Sequence, residues 1–513
     1  MSNVRVRFAP SPTGALHIGG LRTALYNYLF AKNQGGQFIL RIEDTDQTRL
    51  VDGAEDYIYQ ALEWLGIVPD ESPKHGGPYG PYRQSERVDI YQKYALQLVS
   101  DDKAYYAFDT AEELQAMRDR LKAAKVANQQ YNSITRVSMS NSLTLSEQQV
   151  ADLLAEGVPH VIRLKVPPKE NIRFEDRIRG WIKIHSSTID DKVILKSGGF
   201  PTYHLANVVD DHLMDITHVI RGEEWLPSAP MHVLLYRFLN WEESMPEFAH
   251  LPLILKPDGN GKLSKRDADK LGFPIFPINW RGPEGDQSTG FKEQGYLPES
   301  ITNFLALLGW NPGNDREFYS LDDLESAFSL ERIVKSGAKF DISKAQWFNQ
   351  HYLREMPLSD LSNYLATDLK DLALEVDHDK IRNVTQLLKD RIVFPQDLFN
   401  TGKYLFLQPE HYEHQVVQKK WNDEVATFLQ EYSESINSSD DWNAEIAHQL
   451  LADQLDKAKW GFGKILPGLR LALTGVGKGP DLMKIMEILG KEETICRLNK
   501  AISHLADITI KKT

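Results

Sequence analysis

Three short stretches carry residue types able to handle a polyphosphate and a charged substrate. In His17-Ile18-Gly19-Gly20 a histidine and two glycines sit where a turn enters a helix. Glycines let a nucleotide approach the backbone, free N–H groups at a helix start favour phosphate, and an imidazole can donate to a phosphate oxygen. The same four residues also suit an ordinary turn with a surface histidine. Lys262-Leu263-Ser264-Lys265-Arg266 follows the turn-forming run Asp258-Gly259-Asn260-Gly261. A mobile basic loop of this kind could close on a polyphosphate and neutralise charge developing in phosphoryl or nucleotidyl transfer. Basic loops are common for other reasons too. In Arg41-Ile42-Glu43-Asp44-Thr45-Asp46 the clustered carboxylates could hold a metal, orient a substrate ammonium or cap the next helix. Capping explains one or two acids, but hardly Glu43, Asp44 and Asp46 together.

These stretches need a scaffold that presents them. Val4 to Phe8 alternates apolar and basic residues as a strand does, and Pro10 and Pro12 stop it. Leu21, Leu25, Tyr28 and Leu29 fall at helical spacing; Phe38, Ile39, Leu40 and Ile42 read as a second, buried strand. Ala54, Tyr57, Ile58, Ala61, Leu62 and Leu65 mark a second helix. Strand–helix–strand–helix predicts a Rossmann-type α/β domain with a parallel sheet, whose ligands bind at the strands' carboxyl ends. Around residue 104 the alternation breaks, which predicts an inserted α+β domain with a strand over Val161–Val166. The sheet pattern resumes near Tyr203 and His218–Arg221. Residues 274–290 form a Pro/Gly-rich loop that meets a partner or, as expected here, decorates the surface. Beyond about residue 330 the pattern is helical, with Trp347, Trp421, Trp442 and Trp460 as aromatic anchors.

Length and charge narrow the class. The 513 residues suggest about three domains. A hydrophobic fraction of 42% excludes disorder. Cys496, the single cysteine, excludes an internal disulfide framework and any multi-cysteine zinc or iron–sulfur site. No apolar run approaches the roughly 18 residues of a membrane helix, and the first residues lack the apolar core of a signal peptide, so a cytoplasmic protein is expected. The net charge of −13 argues on its face against nucleic acid. Charge is uneven, however. Nine acidic and no basic residues lie between Trp421 and Asp456, and five basic and no acidic residues between Lys457 and Lys478. Such runs suit solvated helix faces or a local basic surface. There is no P-loop around Gly475–Gly479 and no G-x-G-x-x-G after the first strand.

In combination the stretches resemble the class I aminoacyl-tRNA synthetase family, most closely its bacterial glutamyl branch. Pro10-Ser11-Pro12-Thr13-Gly14-Ala15-Leu16-His17-Ile18-Gly19-Gly20 is similar to the extended HIGH signature, and Lys262–Arg266 to the KMSKS loop. Between them Arg41–Asp46, Pro201–His212 and Val219–Trp225 match in order, and Trp347-Phe348-Asn349, Tyr352 and Arg354 match in the helical half. The resemblance implies a glutamate–tRNA ligase, which joins L-glutamate to ATP as glutamyl-adenylate with loss of pyrophosphate. The glutamyl group then passes to the terminal ribose of tRNA(Glu), and tRNA is needed for the activation. It also implies that His17, Gly19 and Gly20 hold ATP, and that Lys265, with Lys262, stabilises the pyrophosphate side of Mg2+-bound ATP. His17 and Lys265 are thus the expected catalytic residues. Glu43 is expected to accept the α-ammonium, and Arg221, with Arg7 and Tyr203, to bind the side-chain carboxylate. Ser11 and Asn207 complete the expected amino-acid site. A structural salt bridge from Arg221 to Glu223 or Glu224 is the competing reading of that arginine.

The implied layout is a catalytic domain in two halves, 1–104 and 201–260, around an acceptor-stem-binding insert at 105–200. A KMSKS-like and stem-contact region at 261–330 follows, then helical anticodon-binding subdomains at 331–395 and 396–513. Three departures stand out: Gly20 replaces the last histidine of HIGH, residues 274–290 look long, and Ala107 and Asp109 stand near where some members carry a zinc-binding cysteine cluster. No zinc or other protein-bound metal is therefore expected, and the protein is expected to be a monomer without membrane contact. The nearest rivals are a glutamyl enzyme that also charges tRNA(Gln) and a glutaminyl enzyme, whose bacterial members carry β-barrels in the anticodon region.

Overall fold

The computed structural model describes residues 4–259 and 261–510. They divide into two compact units, Met1–Ala345 and Gln346–Thr513. The first is built on strand β1 (Arg5–Phe8), buried along its whole length. Helix α1 (Ile18–Asn33) follows, and its buried residues, from Ile18 and Leu21 to Phe30 and Ala31, surround the helix axis. That all-round burial fits a helix covered on both sides. β2 (Gln37–Leu40) lies parallel to β1, and α2 (Ala54–Trp64) and α3 (Val88–Ser100) complete the first half.

The chain then leaves the sheet. β3 (Ala104–Ala107), β4 (Val161–Leu164) and β7 (Val193–Leu195) form a separate antiparallel sheet. With it go α4 (Ala111–Ala123) and α5 (Glu147–Ala155), each opened by a capping box, Thr110 with Glu113 and Ser146 with Gln149. Between β4 and β7, β5 (Asn171–Asp176) and β6 (Gly180–His185) make a hairpin that joins the main sheet instead. After α6 (Tyr203–Leu213) come β8 (His218–Gly222), α7 (Ala229–Phe238) and β9 (Glu247–Leu251). The six strands run in the order β2-β1-β8-β9-β5-β6, parallel except for the last pair.

Three sequence expectations change. Residues 105–200 do not form one separate layer, because β5 and β6 extend the main sheet while β3, β4 and β7 stand apart. Tyr203 opens a helix and not a strand: the apolar spacing of Leu205, Val208 and Val209 buries one face of α6 in the core shared with α3 and α7. The boundary at residue 330 also moves. Ala338–Lys339 pairs in parallel with Ile254–Leu255, which keeps the chain up to Ala345 in the first unit.

Among the described residues of the second unit every regular element is helical, from Leu358–Asp371 to Lys491–Ile510. Trp421 is buried, Trp460 stacks on Phe428, and Trp442 Nε1 donates to the Met486 carbonyl at 3.1 Å. Trp347 is instead 41% exposed.

Candidate active site

At the carboxyl ends of β1, β2 and β8 opens a cleft of about 750 Å³. It is lined by Arg7, Ser11, His17, Gly19, Gly20, Glu43, Tyr203, Asn207, Arg221 and Lys262, the sequence candidates apart from Lys265. Helix α8 (Lys265–Leu271) begins at Lys265, whose side chain lies outside the described residues.

His17 is the N-cap of α1. Its Nδ1 accepts from Gly19 N at 3.0 Å, which leaves the ring proton on Nε2. Burial, with Lys262 nearby, pushes its pKa down to about 4, so the imidazole is neutral at pH 7. A neutral ring with a fixed tautomer and a free Nε2–H is a hydrogen-bond donor, not a base. At Gly20 a Cβ would stand 2.7 Å from Leu16 Cδ1, so a side chain there requires Leu16 to move.

The three acids after β2 divide their tasks. Asp44 accepts from Ser85 N at 2.7 Å and from Ser85 Oγ at 2.5 Å, which ties the end of β2 to the short turn Gln84–Arg87. Asp46 accepts from Thr48 Oγ1 at 2.9 Å. Glu43 lines the cleft, as Asp46 also does; Glu43 Oε1 accepts from Arg41 Nη2 and Asn207 Nδ2, each at 3.2 Å. Burial pushes its carboxyl up, against the pull of Arg41 and Arg7. No group of three His, Cys, Asp or Glu able to hold a metal occurs among the described residues.

One face of α6 carries much of the polar structure, because positions four and seven to eight residues apart share a face. Tyr203 and Asn207 reach the cleft. One turn on, Asp211 takes Arg7 through both oxygens at 2.9 and 3.1 Å and also accepts from Arg41 at 2.7 Å. Asp210 accepts from Arg87, Gln84 and Tyr91. Arg7 therefore spends two nitrogens on Asp211, and only its Nη1 has no partner among the described residues.

Arg221 differs from these arginines. It is 5% exposed, yet its partners are all neutral: Nε donates to His250 Nε2 at 3.0 Å, and Nη1 donates to Tyr203 Oη at 2.7 Å and lies 3.4 Å from His232 Nδ1. Nη2 donates to the Trp225 carbonyl at 3.4 Å. The carboxylates that could have paired with it are engaged elsewhere, Glu223 with Arg179 and the Leu253 amide, and Glu224 with Lys262 at 2.8 Å. A buried guanidinium without an anion is costly unless a ligand supplies one.

Several residues in and behind the site carry no role in the sequence pattern: His250, His232, Asp176 and Lys196. His250 lies in an otherwise apolar strand, Phe248-Ala249-His250-Leu251, and a lone polar residue in a buried strand was the available signal. Residues 274–290 are more than decoration in their first half. Ile18 N donates to the Ile275 carbonyl at 2.9 Å, Tyr57 Oη donates to that of Ile278 at 2.6 Å, and Phe276 packs edge-on to His17. The loop after α8 thus buttresses the start of α1.

The second unit holds a cleft of about 570 Å³ lined by Arg391, Lys403, Tyr404, His411 and Lys478, a concentration of cations within an acidic protein. Of the five basic residues of the stretch 457–478 only Lys478 lines it; Lys464 pairs with Glu424 at 2.8 Å.

Residues 3–347 match the family of tRNA synthetases class I (E and Q), catalytic domain, and residues 359–502 match an anticodon binding domain. The glutamate–tRNA ligase of Cytophaga hutchinsonii is 58% identical over 506 residues, with 98% of each chain covered. That of Bacteroides thetaiotaomicron is 52% identical over 503 residues, covering 98% of this chain and 99% of its own. A solved structure of a glutamate tRNA ligase from Elizabethkingia meningosepticum, in complex with its amino acid, superposes with a TM-score of 0.95 at 51% identity, covering 98% of this chain and all of that one. With a parallel-sheet catalytic unit, a helical second unit and this similarity over nearly its whole length, the chain belongs to the glutamate–tRNA ligase family of class I tRNA synthetases.

Proposed function

We infer that the chain activates L-glutamate with ATP and transfers it to tRNA(Glu). The observation that carries this reading is Arg221, a buried cation held only by neutral acceptors in the same cleft as His17 and Glu43. A γ-carboxylate supplies the missing anion and fits a guanidinium edge bidentately, whereas the amide of glutamine offers one acceptor and a misplaced donor pair. Glu43 takes the α-ammonium, and Tyr203, Asn207 and Ser11 complete the amino-acid side. The α-carboxylate oxygen attacks the α-phosphorus of ATP, the bond to the β-bridging oxygen breaks, and pyrophosphate leaves. The terminal ribose hydroxyl of tRNA then attacks the acyl carbon, and AMP leaves with the bond electrons. No protein nucleophile takes part, so catalysis is positioning and charge stabilisation. His17 donates from Nε2 to a phosphate oxygen, the backbone at Gly19 and Gly20 admits the nucleotide, and Lys262 and Lys265 meet the pyrophosphate charge. ATP enters as its Mg2+ complex, a substrate and not a resident metal.

The cationic cleft of the second unit supports tRNA as partner, since phosphate contacts follow local and not net charge. ATP–pyrophosphate exchange tests the whole reading: it is expected with glutamate and tRNA(Glu) together, and not with glutamine. Exchange that requires a different amino acid overturns it. Charging of purified tRNA(Glu) and tRNA(Gln) in parallel decides between a strict and a dual-specificity enzyme.

The enzyme is also proposed to hold no structural zinc. Where a cysteine cluster would stand, Asp109 accepts from Tyr131 Oη at 2.9 Å and from Ser140 N at 2.7 Å, and buried Asn141 donates to Tyr131 and to two carbonyls. Elemental analysis after chelation and dialysis should find well under one zinc per chain with the fold retained.

A further inference from the structure

We propose that His250 and Asp176 are positioning residues for amino-acid selection: together they aim the Arg221 guanidinium into the cleft while withholding the negative charge that would satisfy it. The proposal rests on the reading of Arg221 as the partner of the substrate's γ-carboxylate. Its geometry comes from three neighbouring strands. Arg221 on β8 and His250 on β9 are direct register partners, and Asp176 closes β5 on the far side of β9. A chain of side-chain hydrogen bonds crosses the three strands. Asp176 Oδ2 accepts from His250 Nδ1 at 2.6 Å and from His250 N at 3.1 Å, and His250 Nε2 accepts from Arg221 Nε at 3.0 Å. Asp176 is itself fixed by Ile178 N at 3.0 Å and Arg179 N at 2.8 Å, both donating to Oδ1. His250 and Asp176 are fully or almost fully buried.

The interposed imidazole is what makes the arrangement selective. A carboxylate hydrogen-bonded to the guanidinium would neutralise it, and the arginine would become a structural ion pair like Arg7 with Asp211. With Nδ1–H bound to Asp176, His250 can only accept at Nε2, so it orients Arg221 without discharging it. Burial holds the His250 pKa below the usual histidine value, consistent with this neutral form. Asp176 comes from the hairpin that leaves the inserted region to join the main sheet, which gives that hairpin a task in the amino-acid site.

Glu, Gln and Met at position 250 separate charge from shape. Aminoacylation kinetics of His250→Gln, His250→Met and His250→Glu are measured with saturating tRNA(Glu), varying glutamate and ATP in turn, with Arg221→Gln as the reference. Gln offers a neutral acceptor, and kcat/KM for glutamate should stay within about tenfold of wild type. Met offers none and should fall at least a further tenfold; Glu supplies the charge and should fall at least a hundredfold below Gln. KM for ATP should move less than threefold throughout. Glu and Gln variants with equal kcat/KM, or glutamate and ATP constants that shift together, overturn the proposal. If the Glu variant does not fold, the Gln-to-Met comparison decides: equal kcat/KM for glutamate in these two variants overturns the proposal. An Arg221→Gln enzyme with undiminished kcat/KM for glutamate would instead overturn the reading of Arg221 itself.

Discussion

Arg221→Gln should lower kcat/KM for glutamate by several hundred- to several thousand-fold while leaving the melting temperature at or above that of the wild type. The first effect follows from leaving the substrate carboxylate buried without its cation, which costs about 3–5 kcal/mol. The second is less usual for a buried charge and follows from the neutral surroundings of this one. Removing Arg7 or Arg41 would take from Asp211 one of its two cationic partners, but no carboxylate among the described residues depends on Arg221 for an ion pair. The new amide can still donate to His250. Steady-state kinetics with varied glutamate, beside a thermal melt, read both effects. A variant that keeps its activity, or one that loses activity only because it unfolds, counts against the assignment.

The second large effect is expected at His17. Asparagine there keeps an N-cap acceptor for α1 but has no group at the place of Nε2, so capping and catalysis come apart. His17→Asn should lose about 10²–10³-fold in kcat, the range for removing one donor to a developing phosphate charge, with less than about 1 kcal/mol of stability lost. His17→Ala should lose the same rate and about 1 kcal/mol more stability. The pH profile gives an independent check. With its pKa near 4, His17 stays neutral across the working range, so no ionisation of it should bend kcat between about pH 5.5 and 8.5. The sign for stability is fixed as well. The unfolded histidine binds a proton near pH 6.5, and the folded one resists it down to about 4. Its contribution is therefore intact above pH 6.5 and is lost as the pH falls through that window. An apparent pKa near 6.5 in kcat that vanishes in His17→Asn would contradict the neutral donor.

Much of the site was legible because its residues lie on local signals. The histidine–glycine turn, the carboxylates after β2 and the basic loop each announce themselves within about six residues, and a helix start or strand end is a local decision. What local pattern cannot supply is strand order. Nothing in Asn171–Asp176 says that it pairs with β9 and not with its neighbours β4 and β7, so Asp176 could not be placed beside His250. The sheet pattern expected near Tyr203 gives way to helix because Leu205, Val208 and Val209 share one face that packs against α3 and α7. The loop at 274–290 departs from the expected surface decoration for a related reason. Its prolines and glycines signal irregular backbone, yet irregular backbone can be buried when neighbours satisfy it, as Ile18 and Tyr57 do here.

The strand order also governs how the protein must be made. Arg5 N donates to Thr217 Oγ1 across 212 residues, and β1 gains its second neighbour only when β8 arrives. At about 5–20 residues per second, roughly 10–45 seconds of synthesis separate the two strands. During that interval β1 can pair with β2 alone, and the face that will become the cleft has no floor. The amino-acid site therefore closes late, after the inserted sheet has been made. A ribosome paused at Leu213, before β8 is made, would carry a chain in which β1 still has one unpaired edge, available to chaperones or to another nascent copy.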